Sequence, residues 1–432
     1  MTAYADFLAA KRARAPRDGR PCDPAEVNPF LHEWQRRIVA WAVETGRAAL
    51  WEDTGLGKTL QQLEWARLSA DTSLIVAPLA VCHQTVREAS RIGLTATYAR
   101  SGKDITGPGI WITNYERAAA FDPDAIGAVV LDEASILKNA DGKTRAMLTD
   151  HFASVPARLA CTATPAPNDP EELTGQAAFL GHSTRANMLA AYFVHDDTGW
   201  RLKGHARKPM FEWLSTWAVA IRQPSDMGYD DGDYVLPGLN VLPHLLEIDV
   251  VPDGQLFATD LGGVGGRAAI RRDTLADRCK ATAELVEAEP DEPWILWCGL
   301  NSEADTLANL IPGAFNVHGS LTAEEKADAF LGFADGDIRV LITKPKIASF
   351  GMNWQHCARM AFVGLDDSWE TYYQAIRRCH RYGQHRVVDV HVVVSRLESA
   401  IAMNVARKQI EADRLIDDLV RQMRPDRWGK AA

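Results

Sequence analysis

The stretch Ala48-Ala-Leu-Trp-Glu-Asp-Thr-Gly-Leu-Gly-Lys-Thr-Leu60 carries an apolar run into a glycine-rich turn that ends in Gly-Lys-Thr and opens a helix-compatible segment. Buried strand, glycine turn and helix start, in that order, make a phosphate cradle. Gly55 and Gly57 can take backbone angles that turn successive N–H groups inward, with Thr54 and Leu56 completing the loop. Lys58 can reach the outer phosphates, and the Thr59 hydroxyl can ligate Mg²⁺. Glu52 stands where the pattern usually has its first glycine.

The chain has 432 residues, of which 47% are hydrophobic. That length predicts two or three domains, each able to bury a core. No run approaches the ~18 apolar residues of a membrane span. The N-terminal segment also lacks the charged, apolar and cleavage regions of a secretory signal. The expected location is the cytoplasm, with no membrane partner. The seven cysteines are scattered without a Cys-x-x-Cys pair, which predicts reduced core thiols. A net charge of −10 argues against a protein coated in basic surface. It is compatible with a local basic cleft, because phosphate binding depends on the charge that faces it.

Outward from the cradle, apolar runs read as buried parallel strands at Ala48–Trp51, Ser73–Ala77, Gly109–Thr113, Ala128–Leu131 and Ala157–Cys161. A second series follows at Trp294–Cys298, Ala314–Val317, Ile338–Ile342, Met360–Val363 and Val387–Val394, with helices expected at Ser302–Leu310, Thr322–Phe333 and Trp369–Arg381. Such alternation predicts an α/β protein with two parallel-sheet domains in tandem. The expected divisions are an N-terminal segment 1–28, a first domain 29–180, an insertion 181–251, a second domain 252–396 and C-terminal helices in 397–432. The insertion is rich in Trp, Gly, Pro and Asp and shows no sustained alternation of strand and helix.

Three further motifs carry chemistry. Ala128-Val-Val-Leu-Asp-Glu-Ala-Ser135 ends a strand in two carboxylates. On a strand beside the one feeding the cradle, Asp132 would meet Mg²⁺, and Glu133 would orient and deprotonate an attacking water. Leu159-Ala-Cys-Thr-Ala-Thr-Pro-Ala-Pro-Asn168 closes a strand with Thr162 and Thr164, which either relay the hydrolysis site to a bound partner or cap a turn. Gln374-Ala-Ile-Arg-Arg-Cys-His-Arg-Tyr-Gly-Gln384 places Gln374, Arg378 and Arg381 four and three apart, on one face if the segment is helical. A guanidinium that keeps its proton suits the charge developing on a transferred phosphoryl group.

In this order, the four motifs resemble those of superfamily two helicase-type ATPases, and the last one resembles the Swi/Snf-type branch. The resemblance covers about residues 29–394 and extends to compact versions carried by bacteriophages and prophages. It implies two RecA-like domains with an insertion between them, and ATP and Mg²⁺ as cofactors. Leu31-His-Glu-Trp-Gln-Arg36 resembles the adenine-reading element, which implies that Gln35 bonds the base. Val76-Ala-Pro-Leu79 resembles a DNA-backbone-contacting motif. Ile342-Thr-Lys-Pro-Lys-Ile-Ala-Ser-Phe-Gly-Met-Asn-Trp-Gln355 resembles the segment whose glycine and asparagine, here Gly351 and Asn353, contact nucleotide and track. Asp-Glu-Ala-Ser in place of the commoner Asp-Glu-Ala-His, and Thr343-Lys-Pro-Lys in place of a glycine-rich run, depart from the pattern.

The activity implied is DNA-dependent ATP hydrolysis coupled to translocation along duplex DNA by a monomer, with phage or host DNA-processing proteins as partners. Lys58, Glu133, Arg378 and Arg381 would be catalytic, the two arginines arriving from the second domain. The alternatives are a strand-separating DNA or RNA helicase, and an ATP-switched DNA-binding module. Candidate DNA contacts are Thr162 and Thr164, Lys344 and Lys346, and the basic cluster Arg201, Lys203, Arg207 and Lys208. Trp213 and Trp217, four apart, fit core burial better than base stacking.

Overall fold

Strands buried on both faces need apolar side chains at successive positions, and most of the runs located above become such strands in a computed structural model of the chain. Residues 15–139, 142–197, 199–247, 271–347, 353–365, 368–396 and 399–422 are described. They form two compact units, one of the described residues up to Tyr234 together with those from Glu411 on, the other of the described residues from Val235 to Ile410.

The first unit is built on a seven-stranded sheet: β1 (Arg47–Glu52), β2 (Thr72–Ala77), β3 (Ala96–Tyr98), β4 (Gly109–Asn114), β5 (Ala128–Asp132), β6 (Ala157–Thr162) and a later strand introduced below. A small antiparallel hairpin, β7 (Phe193–Asp196) and β8 (Gly199–Leu202), stands apart from it. The sheet's last member is β9 (Ala218–Ile221). The spatial order is β3-β4-β2-β5-β6-β1-β9 and all pairings are parallel. Trp51 lies opposite Thr162, and Asp132 opposite Cys161, so β1, β5 and β6 end at one edge of the sheet. That carboxyl edge is where open parallel sheets bind ligands.

The second unit has a six-stranded sheet, again all parallel. Its strands are β10 (Leu239–Leu246), β11 (Trp294–Cys298), β12 (Phe315–Val317), β13 (Val340–Thr343), β14 (Arg359–Val363) and β15 (Val388–Ser395), ordered β10-β15-β14-β11-β13-β12. Two parallel sheets with interleaved helices are the α/β architecture expected of tandem RecA-like domains.

Three expectations are corrected. The region read as an insertion is divided between the units: β9 pairs with β1 in the first sheet, and β10 pairs with β15 in the second. β9 is only four residues long, and β10 exposes most of its side chains, so neither gives a strong apolar run. Secondly, β5 does not lie beside β1; β6 runs between them. Thirdly, the helix expected at 369–381 stops after Ile376, and the arginines follow it on turns. The tail is one helix, Ser399–Gln422, whose Leu415, Leu419 and Val420 enter the core of the first unit. Trp213 and Trp217 are buried there too, with Trp217 packed edge-on against Trp51. All seven cysteines carry buried, unbridged thiols. No helix among the described residues is long and apolar enough to cross a membrane.

Candidate active site

The cradle forms because β1 ends in residues that a strand cannot continue. Gly55 (φ 89°) and Gly57 (φ 81°) lie in the left-handed region, where a Cβ is strained. Gly57 is constrained twice, since a Cβ there would come within 2.5 Å of Gln35 Nε2. It also caps the helix Lys58–Ser69, whose first N–H groups lack partners within the helix and so favour an anion. Lys58 folds back, its Nζ donating to the carbonyls of Glu52 (2.7 Å) and Asp53 (3.0 Å). The Leu56 carbonyl accepts from Gln35 Nε2 at 2.8 Å and from Gln61 Nε2 at 3.3 Å. The Thr54 amide donates to the Asp53 carboxylate. Thr59 lies half-buried in the first turn of the helix.

Glu52, at the end of β1, is fully buried and accepts from Gln61 Nε2 at 2.8 Å. Burial pushes its carboxyl up to about 7, while the Lys58 ammonium and the Gln61 bond oppose the shift.

Asp132 ends β5 and is tied to the cradle's helix, for Gln62 Nε2 donates to its Oδ1 at 2.7 Å. Burial raises its carboxyl above the usual range, against the Gln62 bond and the Lys58 charge. Its backbone carbonyl accepts from the Tyr115 hydroxyl. Glu133 follows at φ 58°, ψ 51°, and is the sole non-glycine residue of positive φ among the described residues. Such a conformation costs about 1–3 kcal/mol and collects at functional sites. Thr162 and Thr164 are buried, and the Thr162 hydroxyl accepts from the Thr164 amide at 3.0 Å. The Thr162 hydroxyl thus caps the turn that follows β6.

A hydroxyl and a buried carboxylate are hard oxygen donors of the kind Mg²⁺ takes beside phosphate and water. Thr59 and Asp132 thus fit a Mg²⁺ carried in with nucleotide. Gln35 is arranged differently from the expectation of a base reader. It is buried, its Oε1 accepting from the His32 amide (2.8 Å) and its Nε2 donating to the Leu56 carbonyl, so the side chain is fixed against the phosphate loop with one N–H left over.

In the second unit, Gln374 lies on the helix Trp369–Ile376, and Arg378 follows it. Both line a cavity of about 220 Å³ together with Trp297, Lys346 and Thr371, so helix termination does not separate them. Arg377 lies over the Tyr373 ring. Arg381 is half-buried, its Nε without a hydrogen-bond partner among the described residues. Desolvation, with Arg378 close by, lowers its guanidinium to about 10, which still leaves it charged near neutrality. Lys344 is half-buried and Asn353 exposed; Gly351 lies outside the described residues.

The basic cluster of the hairpin is largely engaged within its own unit. Arg201 pairs with Asp196 at 3.2 Å, Arg207 with Asp418, and Lys208 with Glu212 at 3.9 Å, while Lys203 donates to the Ala190 carbonyl at 2.9 Å. Sequence reasoning missed a larger feature of the first unit. Leu79, His83, Tyr98, Arg100, Asn114, Glu116 and Arg117 line a groove of about 600 Å³, with Arg100 and Arg117 exposed. The signal was half read, since Val76-Ala-Pro-Leu79 runs into it; Arg100 follows β3 and Arg117 stands on the short helical turn Tyr115–Ala120 after β4, and the pairing of these two strands brings them together.

Residues 34–190 match the SNF2-related domain, and residues 277–383 match the helicase conserved C-terminal domain. The two matches, in that order, take in more than half of the chain. The chain belongs to the Swi/Snf-type superfamily two helicase-like ATPases. The cradle, Asp132 and Glu133 fall within the first match, and Gln374, Arg378 and Arg381 within the second. Among solved structures, the Sulfolobus solfataricus SWI2/SNF2 ATPase core in complex with double-stranded DNA is 18% identical, with 94% of this chain and 98% of that one covered and a TM-score of 0.44. A comparison with curated proteins gave no match.

Proposed function

We propose that this Swi/Snf-type chain is a Mg²⁺-dependent ATPase stimulated by DNA that uses hydrolysis to move along the duplex. The observation that carries the reading is the convergence, at one sheet edge, of a glycine cradle, a carboxylate tied to its helix and a glutamate in a strained left-handed conformation. The cradle binds the phosphates through backbone N–H groups, and Lys58 leaves its two carbonyls to bond the outer phosphates. Thr59 and Asp132 hold Mg²⁺, which when bound neutralises phosphate charge. Glu133 takes the proton of the attacking water. Arg378 and Arg381 supply the cations that stabilise the transferring phosphoryl group. The groove bearing Arg100 and Arg117, beside the Val76–Leu79 segment, is the proposed seat of the DNA backbone in the first unit, because exposed guanidiniums fit phosphate bidentately.

The test is ATP turnover with duplex DNA, single-stranded DNA and RNA, run beside a strand-displacement assay. Duplex stimulation without displacement supports the proposal. Displacement of strands, or stimulation by single strands alone, contradicts it.

A further inference from the structure

Glu52 is a buried carboxylate to which the reaction just described gives no role. It occupies the position where the phosphate-loop pattern usually has glycine, and its Oε2 accepts from Gln61. Its Oε1 is buried without a hydrogen-bond partner among the described residues. An unpaired charged oxygen in such a place is costly, and the nearby Lys58 ammonium offsets that cost. The same ammonium bonds the main-chain carbonyl of Glu52 at 2.7 Å, which holds the cation beside the residue that carries the carboxylate. Gln61 extends the connection, since its amide reaches both Glu52 and the Leu56 carbonyl of the loop. Among the described residues, the Cys161 thiol on β6 also feels Glu52, and burial and the nearby carboxylates keep it protonated. Among the described residues, Lys58 is the cation that acts on Glu52.

We propose that Glu52 is a positioning residue for the phosphate loop: as a carboxylate it holds Lys58 against the loop, and it takes up one proton from solvent when Lys58 moves to a bound nucleotide. The proton goes to the unpaired Oε1, and the Gln61 bond to Oε2 is kept. Two changes act in one direction, the departure of a cation and the arrival of a polyanion. Both disfavour the charged carboxylate. The inference rests on reading residues 53–59 as a nucleotide cradle.

The test is calorimetry of ADP binding to the full chain, in buffers of differing ionisation enthalpy, for the wild type and Glu52→Gln. With a carboxyl near 7 before binding, the wild type gains about half a proton at pH 7 and approaches one near pH 8. Its affinity then weakens up to about tenfold per pH unit above neutrality. Glu52→Gln keeps an acceptor for Gln61 but lacks both the proton gain and that slope; titration of ADP itself is common to the two proteins and cancels. Equal proton counts and equal slopes would overturn the inference while leaving the cradle intact. Failure of both proteins to bind ADP would overturn the reading of the cradle, and this inference with it. If Glu52→Gln does not fold, difference infrared spectra of the wild type decide: a protonated-carboxyl band gained near pH 8 on adding ADP supports the inference, and its absence overturns it.

Discussion

The chemical groups of the first unit are braced by their own neighbours, whereas the cations of the second unit stand on turns beyond the end of a helix. Lys58 rests on two carbonyls, Asp132 on Gln62, and the Leu56 carbonyl on Gln35 and Gln61. Arg378 and Arg381 follow a helix that ends at Ile376, and Arg381 Nε lacks a hydrogen-bond partner among the described residues. A braced site suits binding, because little ordering remains to be done when ligand arrives. A desolvated guanidinium suits charge that appears only in the transition state. The difference teaches that nucleotide affinity should belong to the first unit, and rate to both.

The sharpest way to break that contrast is Arg381→Ala. Turnover with DNA is expected to fall by about 10³-fold, the scale of an arginine acting on a phosphoryl transition state, with the ATP Kd nearly unchanged. A Kd that rose as steeply as turnover fell would erase the distinction. Lys58→Ala should instead lower both, with turnover down by about 10²–10³-fold and nucleotide binding weakened in the same titration.

Gly57→Ala probes the bracing itself. The positive φ alone costs about 1–3 kcal/mol, and the new Cβ meets Gln35 Nε2. We expect a lower Tm and a weaker Kd for ADP; a variant matching wild type in both would mean that the loop is not held as described.

The buried carboxyl gives a smaller, pH-dependent effect. The Glu52 pKa is raised from 4.5 to about 7, so the folded state favours the protonated form. The resulting stabilisation is complete below about 4.5 and is lost as pH rises through about 7. Thermal unfolding should therefore find Glu52→Gln more stable than wild type near pH 8, with the gap closing toward pH 5. A gap constant over that range would show that the charge is not what the fold opposes.

The smallest expected effects lie on the surface. Replacing Arg100 and Arg117 with Ala should lower the salt slope of DNA binding by about 2, roughly one for each phosphate contact. Replacing Arg201, Lys203, Arg207 and Lys208 together should lower it less, because carboxylates or a carbonyl already engage these side chains. The reverse ranking would move the DNA path to the hairpin.

Legibility in the sequence follows the same division. β1, β2, β4, β5 and β6 are each built around an apolar run, and the cradle and Asp132-Glu133 stand where two of those runs stop. Chain-local chemistry was enough there. The placement of β6 between β5 and β1 was not legible, since strand order depends on contacts that no local pattern records. β9 and β10 escaped notice because one is four residues long and the other is an edge strand with mixed exposure. The end of the helix at Ile376 was hidden because Arg377 to His380 have helix-compatible side chains. Gln35 was identified as a residue of the site, yet its two bonds to His32 and Leu56 arise only from the fold. Arg100 and Arg117 were passed over because seventeen positions separate them in sequence.

The central claim is that ATP hydrolysis here is driven by duplex DNA. Steady-state ATP turnover of the full chain, measured with and without closed circular duplex DNA at fixed Mg²⁺, tests it most directly. The account predicts stimulation of at least about tenfold, equivalent to ~1.4 kcal/mol off the barrier, abolished in Glu133→Gln. Turnover that is unchanged by duplex DNA, or stimulation that survives in Glu133→Gln, would contradict it.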